Sequence, residues 1–344
     1  MKKIAILLPL KERYRKFDAG SVSLFVHSHL QNSVFKKKIK IYGFNIDKPF
    51  DHKNYVKLNS NKFFLTNQSF LQSFIRNIDK ETEIIELHNR PKYFLYLKKK
   101  FPDKKFIFYF HNNPNSLSGS LSVIEKLYLL KNCNQIIFLS QWMKKEFFKN
   151  LKEKNRNNTK VVYPGINPIK KFPEKREKII VFVGKLNKAK GYDLYLNAVS
   201  KFVHTNKNWK AYSIGDESRR DIPANSSIKE FGFMSNEKVL KFLEKSLIAV
   251  ANSTTEEPLG RLPLEAASRG SFPIVSKSGG LTETISNKFS ILKKNNSSEL
   301  FNKLQFLSLN PKKLLSFQKN IFINFKLTLK RQTSLLDEVR KSIS

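Results

Sequence analysis

The stretch "IIVFVGKLNKAKGYDLYLNAVS", residues 179–200, decides how this chain is read. An unbroken apolar run ends at Gly184, a lysine-bearing loop follows, and beyond Gly191 the apolar residues recur at helical spacing. A short run that is apolar at every position is a strand buried on both faces. A strand that passes through a loop into a helix opens a parallel β-α-β unit. Lys185 and Lys190 leave the strand end on either side of the loop, and the helix starting near Gly191 turns its first amides the same way. Two ammonium groups and those amides can converge on one anion. In a chain so rich in lysine, two exposed lysines beside a loop are also what chance supplies.

The same alternation extends in both directions. Apolar runs at 3–9, 38–44, 83–88, 105–110, 135–140 and 160–164 read as strands, with helices between them at 20–33, 67–79, 91–100, 120–131 and 141–149. The proline- and charge-rich "PGINPIKKFPEKREK" (164–178) breaks the rhythm as a linker does. A second series follows, with strands at 179–184, 209–214, 227–232, 247–252 and 271–276. Its helices fall near 191–204, 235–245, 263–269 and 297–308, and the tail 310–342 is helical. Two consecutive doubly wound α/β halves predict two Rossmann-like domains with a cleft between them, so the loops after the strands are the places to look for chemistry.

Composition narrows the partners. The 64 basic and 28 acidic residues leave a formal charge of +36, which favours an anionic partner such as nucleic acid, anionic lipid or a phosphorylated substrate. Phe, Lys and Asn are all abundant, a bias that weakens the meaning of any single lysine. The lone Cys133 allows no internal disulfide and is compatible with a reducing compartment. The opening "MKKIAILLPLKERYRK" reads as a first buried strand rather than a signal peptide, because charges follow Leu10 directly and no small-residue cleavage site appears. No run reaches the roughly 20 apolar residues of a spanning helix.

After the strand 247–252 comes "TTEEPLGRLPLEAASRG" (254–270), which carries Glu257 and Glu265. Pro263 suits the first turn of a helix, and Glu265 falls in that turn. Pro258 and Gly260 keep Glu257 in the preceding loop, so the two carboxylates flank one helix start. Separately, each has an ordinary explanation: a helix-dipole partner for Glu265 and a solvated loop charge for Glu257. Together with the lysine loop, they describe acceptors for hydroxyls beside a site for phosphate.

In order, the chain reads "GKL", "KG", "EPLGRLPLEAASRG" and "GGLTE", with "EFGFMSNEKVLKFLEKSLIAVANST" between the second and third. This series resembles the donor-binding half of the family 4 glycosyltransferases, retaining enzymes of the GT-B fold. The resemblance implies two Rossmann-like domains facing across a cleft. They would be an acceptor-side domain over 1–165 with a C-terminal helix about 325–344 packing back on it, and a donor domain over 166–324. It implies that Lys185 and Lys190 neutralise a donor diphosphate after Gly184, and that Glu265 takes the ribose hydroxyls. Glu257 would face the transferred sugar. Leu259, Gly260, Arg261 and Leu262, with Gly279 and Gly280, would line phosphates and sugar, and Gly232, Phe233 and Met234 the base. Two departures stand out: Lys185 replaces the usual arginine and loses its bidentate fork, and Pro258-Leu259 replaces Gly-Phe.

In the first half, "FDAGSVSLFVHSHLQ" (17–31) resembles the family's glycine-rich first loop, with Gly20 near the phosphates and acceptor. His111, after the strand in "IFYFHNNPNS", takes the place of a histidine close to the donor sugar. "IIELHNRPKY" repeats that layout at His88, Asn89 and Arg90, and resembles enzymes of lipopolysaccharide-core and surface-polysaccharide synthesis. The expected activity is sugar transfer from a UDP- or GDP-linked nucleotide sugar to a glycan or lipid-linked acceptor. No Asp-x-Asp occurs, so cations and amides rather than a metal would carry the leaving charge. Retention could use Glu257 as nucleophile or a front-face route in which the leaving phosphate takes the acceptor's proton.

Two alternatives compete. A basic nucleic-acid-binding protein with Rossmann-like domains would account for the charge, but no zinc, zipper or RNA-recognition pattern occurs. A nicotinamide oxidoreductase lacks its G-x-G-x-x-G. A cytoplasmic location is expected, with the anionic inner face of the cytoplasmic membrane as a surface to touch. "YFLYLKKKF" (93–101) and "QWMKKEFFKN" (141–150) set aromatics beside lysines as an interfacial helix does, or as a helix with a buried aromatic face does.

Overall fold

The computed structural model describes every residue except 1, 51–52, 59–65, 218–221, 224 and 344. Chain contacts divide it into two units, Met1–Gly165 with Leu329–Ser344, and Ile166–Thr328.

The first unit begins with β1 (Lys3–Leu7), α1 (Ser21–Leu30), β2 (Ile39–Phe44), β3 (Tyr55–Leu58), α2 (Asn67–Asn77) and β4 (Thr82–His88). It continues through α3 (Pro91–Lys100), β5 (Lys105–Phe110), α4 (Val123–Asn132), β6 (Gln135–Phe138), α5 (Gln141–Phe148) and β7 (Thr159–Val161). All strands pair in parallel, in the order β3-β2-β1-β4-β5-β6-β7. The four-residue β3 does not declare itself in the sequence, because Lys57 breaks its apolar run and polar residues flank it. Phenylalanine fills much of this core: Phe110 stacks on Phe138 at 5.3 Å, and Phe147 packs against both. Tyr93, Phe94, Phe147 and Phe148 are all buried. Most of the aromatic side chains of α3 and α5 are therefore core, with Tyr96 and Trp142 half-buried.

The second unit contains β8 (Glu177–Val183), α6 (Tyr192–Thr205), β9 (Lys210–Ile214), β10 (Lys229–Glu230), α7 (Asn236–Lys245) and β11 (Ser246–Ala251). Then come α8 (Leu262–Ser268), β12 (Phe272–Val275), α9 (Ser297–Leu309) and α10 (Pro311–Ile323). The sheet is parallel in the order β10-β9-β8-β11-β12. On β8, Ile180 and Phe182 enter one core with α6 and α9, while Ile179 and Val181 enter the other with α7 and α8. Alternate side chains therefore bury on both sheet faces, the reason the run at 179–183 is apolar at every position.

The proline-rich joint is not a free tether. Arg176 stacks on Phe172 at 4.5 Å and donates to the Gly270 carbonyl, fastening the segment to the end of α8.

The last helix, α11 (Leu329–Ser342), belongs to the first unit. Its Asp337 accepts from Ser33 Oγ at 2.6 Å and from the Val34 amide at 2.9 Å. Arg340, wholly buried, donates to both oxygens of the wholly buried Glu86 on β4 at 2.7 and 2.9 Å. Burial alone disfavours the guanidinium's charge, but Glu86, Tyr109 and Asp337 outweigh that and raise its pKa above the ordinary value.

Candidate functional site

In the second unit, strand order changes direction between β8 and β11. In a doubly wound sheet the loops at such a switch point diverge and leave a crevice at the strands' carboxyl ends. The β8 loop starts at Gly184 and the β11 loop at Asn252. They are locked together by Gly191, at φ +72, where a Cβ would stand 2.1 Å from the Asn252 carbonyl oxygen. Asn252 Nδ2 donates to the Gly191 carbonyl at 2.9 Å, and the Thr254 amide donates to Ala189 O at 3.1 Å. Asn187 closes the 3-10 turn Lys188–Lys190 by accepting from the Lys190 amide at 3.1 Å.

This packing brings the Lys190 ammonium onto the Glu257 carboxylate as an ion pair. Both contacts to Glu257, from Lys190 and from Ser253 Oγ at 3.3 Å, fall on Oε2. Oε1 has no partner among the described residues. The Glu257 backbone is fixed from below: its carbonyl accepts from the Gly280 amide at 2.7 Å, and Gly279, at φ +55, lies too close for a Cβ. Gly260 abuts Leu281, while Leu259 and Leu262 are buried.

Helix α8 opens as expected, with Arg261 at the cap position, Pro263 in the first turn and Glu265 in that turn. Glu265 is buried, and its Oε1 accepts from Asn236 Nδ2 at 2.8 Å and Arg261 Nε at 3.1 Å. Its Oε2 has no partner among the described residues, leaving one acceptor held in place by charge-assisted bonds on the other. Gly232 accepts from the Gly215 amide at 2.8 Å; Phe233 beside it is exposed and Met234 half-buried.

The resemblance assigns the lysines to phosphate and Glu257 to the sugar; in the fold Lys190 pairs with Glu257, and Lys185 lies 3.9 Å from Glu217, which the motifs do not include. Asn187 Nδ2 also donates to Glu217, at 2.9 Å. An acid just after the β9 end was a legible signal for Glu217; nothing marked Ser253 or Asn236.

In the first unit, His88 ends β4 and His111 follows β5, and neighbouring strands bring His88 Nδ1 to 2.9 Å from His111 Nε2. Both rings are buried. Desolvation pushes His111 down to about 3, and desolvation, with the buried Arg340 charge nearby, holds His88 well below its usual value. Asn89 Oδ1 accepts from the amides of His111 and Asn112 at 3.3 and 3.1 Å. Gly20 precedes α1, where Glu12 accepts from the Ser23 amide at 2.9 Å and sits where a Cβ on Gly20 would fall. No group of three or more His, Cys, Asp or Glu among the described residues is arranged to hold a metal ion.

The family model described as glycosyl transferases group 1 matches residues 166–322. The matched stretch coincides almost entirely with the second unit and contains the crevice just described. Spore coat protein SA of Bacillus subtilis (strain 168) is 26% identical over 235 residues, covering 59% of this chain and 62% of that protein. The chain thus spans less than two thirds of that relative. Among solved structures, Anabaena HepE in complex with UDP-glucose superposes with a TM-score of 0.80 at 14% identity, over 98% of this chain and 99% of that one. The apo form of the lipopolysaccharide outer core galactosyltransferase WaaB gives a TM-score of 0.68 at 14% identity, over 99% of each. With these neighbours, the fold is GT-B.

Proposed function

We propose that this chain is a retaining glycosyltransferase of the family 4 type. It would move a sugar from a UDP- or GDP-linked donor to a glycan or lipid-linked acceptor of the bacterial cell surface, lipopolysaccharide included. The observation that carries the reading is the Lys190–Glu257 pair at the switch point between β8 and β11, with the half-free carboxylate of Glu265 on the adjoining α8. A nucleotide sugar presents a diphosphate and two sets of hydroxyls, and the crevice offers cations for the first and carboxylate oxygens for the second. The group 1 match supports the reaction class, and the HepE neighbour was solved with UDP-glucose bound. Nothing in these likenesses favours the nucleic-acid alternative.

In the proposed mechanism, donor phosphate draws Lys190 and Lys185 from their carboxylates, and loop amides near Gly279 and Gly280 complete the neutralisation without a metal. Release of Lys190 leaves Glu257 Oε2 with Ser253 Oγ alone, beside the already open Oε1, so filling the phosphate site prepares the sugar site. Glu265 Oε2 takes the ribose, and the region of Gly232 to Met234 the base. Preorganised cations lower the barrier as charge builds on the departing diphosphate. The neutral His111 is assigned a hydrogen bond to the donor sugar, and Gly20 a place near phosphates and acceptor. The test is a panel of nucleotide sugars with release of nucleoside diphosphate as readout. If no donor binds, or if Glu265→Ala leaves binding unchanged, the reading fails.

A further inference from the structure

Helix α4 wears its residues the wrong way round for a helix covering a sheet. Lys126 is 1% exposed, whereas Ile124 is 79% exposed, with Leu121, Val123 and Leu127 exposed beside it. Lys126 is held inside by a 2.5 Å hydrogen bond to Asn115 Oδ1 and lies 5.6 Å from the centre of the Phe147 ring. Burying an ammonium costs free energy, and so does leaving aliphatic side chains in water. A helix meant only for solvent would reverse both. A contiguous aliphatic patch of this kind marks an interaction surface.

The neighbours identify the partner. Because β4 to β7 are adjacent in chain order, right-handed crossovers set α3, α4 and α5 side by side on one sheet face. Phe94 against Tyr128, and Lys126 over Phe147, join α4 to each side. Level with the patch, α3 exposes Lys92 and α5 exposes Lys145, with Lys149 just past its end; Lys99 and Lys100 are exposed at the far end of α3. The layer's two acids are already engaged: Glu125 caps α4 through the Leu121 and Ser122 amides, and Glu146 binds Asn115 and Lys149. An aliphatic centre flanked by lysines, with no free acid on α3, α4 or α5 themselves, fits an anionic bilayer. Its acyl boundary takes the aliphatic side chains, and its phosphates meet the lysines. We propose that the outward face of α4, from Leu121 to Leu127, docks this protein on an anionic membrane. The proposal rests on the transferase reading only for its purpose, access to a lipid-linked acceptor.

The test is sedimentation of the full chain with vesicles of phosphatidylcholine, and of phosphatidylcholine mixed with phosphatidylglycerol. The protein should follow the mixed vesicles, and raised salt should release it. Ile124→Asp with Leu127→Asp should weaken binding roughly tenfold or more. Lys92→Gln with Lys145→Gln should cost about fivefold per lysine. The altered side chains are exposed, so thermal melting should not move. Ile124→Ser with Leu127→Ser gives a milder second pair should the aspartates disturb α4. Equal recovery with both vesicles, or binding indifferent to both α4 pairs, overturns the proposal. So does a dimer in sedimentation velocity that the aspartate pair dissolves, since the patch would then be a self-contact. Nucleoside diphosphate release by the same preparations keeps failure of docking distinct from failure of the transferase reading.

Discussion

Lys190 and Glu257 stand 67 positions apart in sequence and meet as an ion pair where the β8 and β11 loops cross. If an anion competes with Glu257 for Lys190, the two side chains act as one unit. Lys190→Met should lower kcat/KM about 100- to 1,000-fold. The Lys190→Met, Glu257→Gln double variant should lose far less than the sum of the single losses, because each single change already disables the pair. Steady-state kinetics on all three variants, with the donor found by the panel, supplies the measurement.

Glu265 offers one carboxylate oxygen while Asn236 and Arg261 hold the other. Glu265→Ala should raise the dissociation constant for nucleoside diphosphate about tenfold or more, the loss of a charge-assisted hydrogen bond. Asn236→Ala should raise it less, since it loosens the carboxylate without removing it. Calorimetric titration with the nucleotide separates the two.

Gly191 is in the left-handed region against the Asn252 carbonyl, so any side chain there meets both strain and a collision. Gly191→Ala should cost about 1–3 kcal/mol. It should also weaken nucleotide binding, because the β8 loop must back away from the β11 loop. Denaturant unfolding and nucleotide titration of the same variant check the two effects.

The Glu86–Arg340 pair is wholly buried. Arg340→Met leaves a buried carboxylate uncompensated and should destabilise the first unit by about 3–5 kcal/mol. Glu86→Leu combined with Arg340→Met should recover much of that loss, which urea unfolding of the single and double variants will show.

Stability should also fall with acidity. The folded pKa values of His29, His88 and His111 all lie below the unfolded value of 6.5, that of His111 at about 3. The unfolded chain therefore takes up protons first. The contribution of these neutral rings is whole above about pH 6.5 and is lost as pH falls from there. Melting temperature should drop between about pH 7 and about pH 5, and drop less steeply in His111→Asn.

Much of this was readable in advance, for local reasons. Residues 179–183 are apolar throughout because β8 is central and buried on both faces. Pro263 and Glu265 announce the first turn of α8 because missing amides and negative charge suit helix starts. The alternation of such runs with helical spacing is enough to give two doubly wound halves, and the ordered motifs from Gly184 to Glu283 carry the likeness to glycosyltransferases. Sequence periodicity also placed Lys185, Lys190 and Glu257 in loops after strands.

What those residues touch was decided only by the tertiary structure. Pairing of Lys190 with Glu257 requires strand order β9-β8-β11, which brings a later loop beside an earlier one. The burial of Arg340 requires the returning α11 and the middle of β4, two elements with no local sign of each other. Lys126 reads as an ordinary surface lysine and Ile124 as an ordinary core residue until α4 is laid on its sheet. Periodicity says that a helix has two faces, and local sequence chooses its ends. Which face turns inward is settled by neighbours brought together from distant parts of the chain.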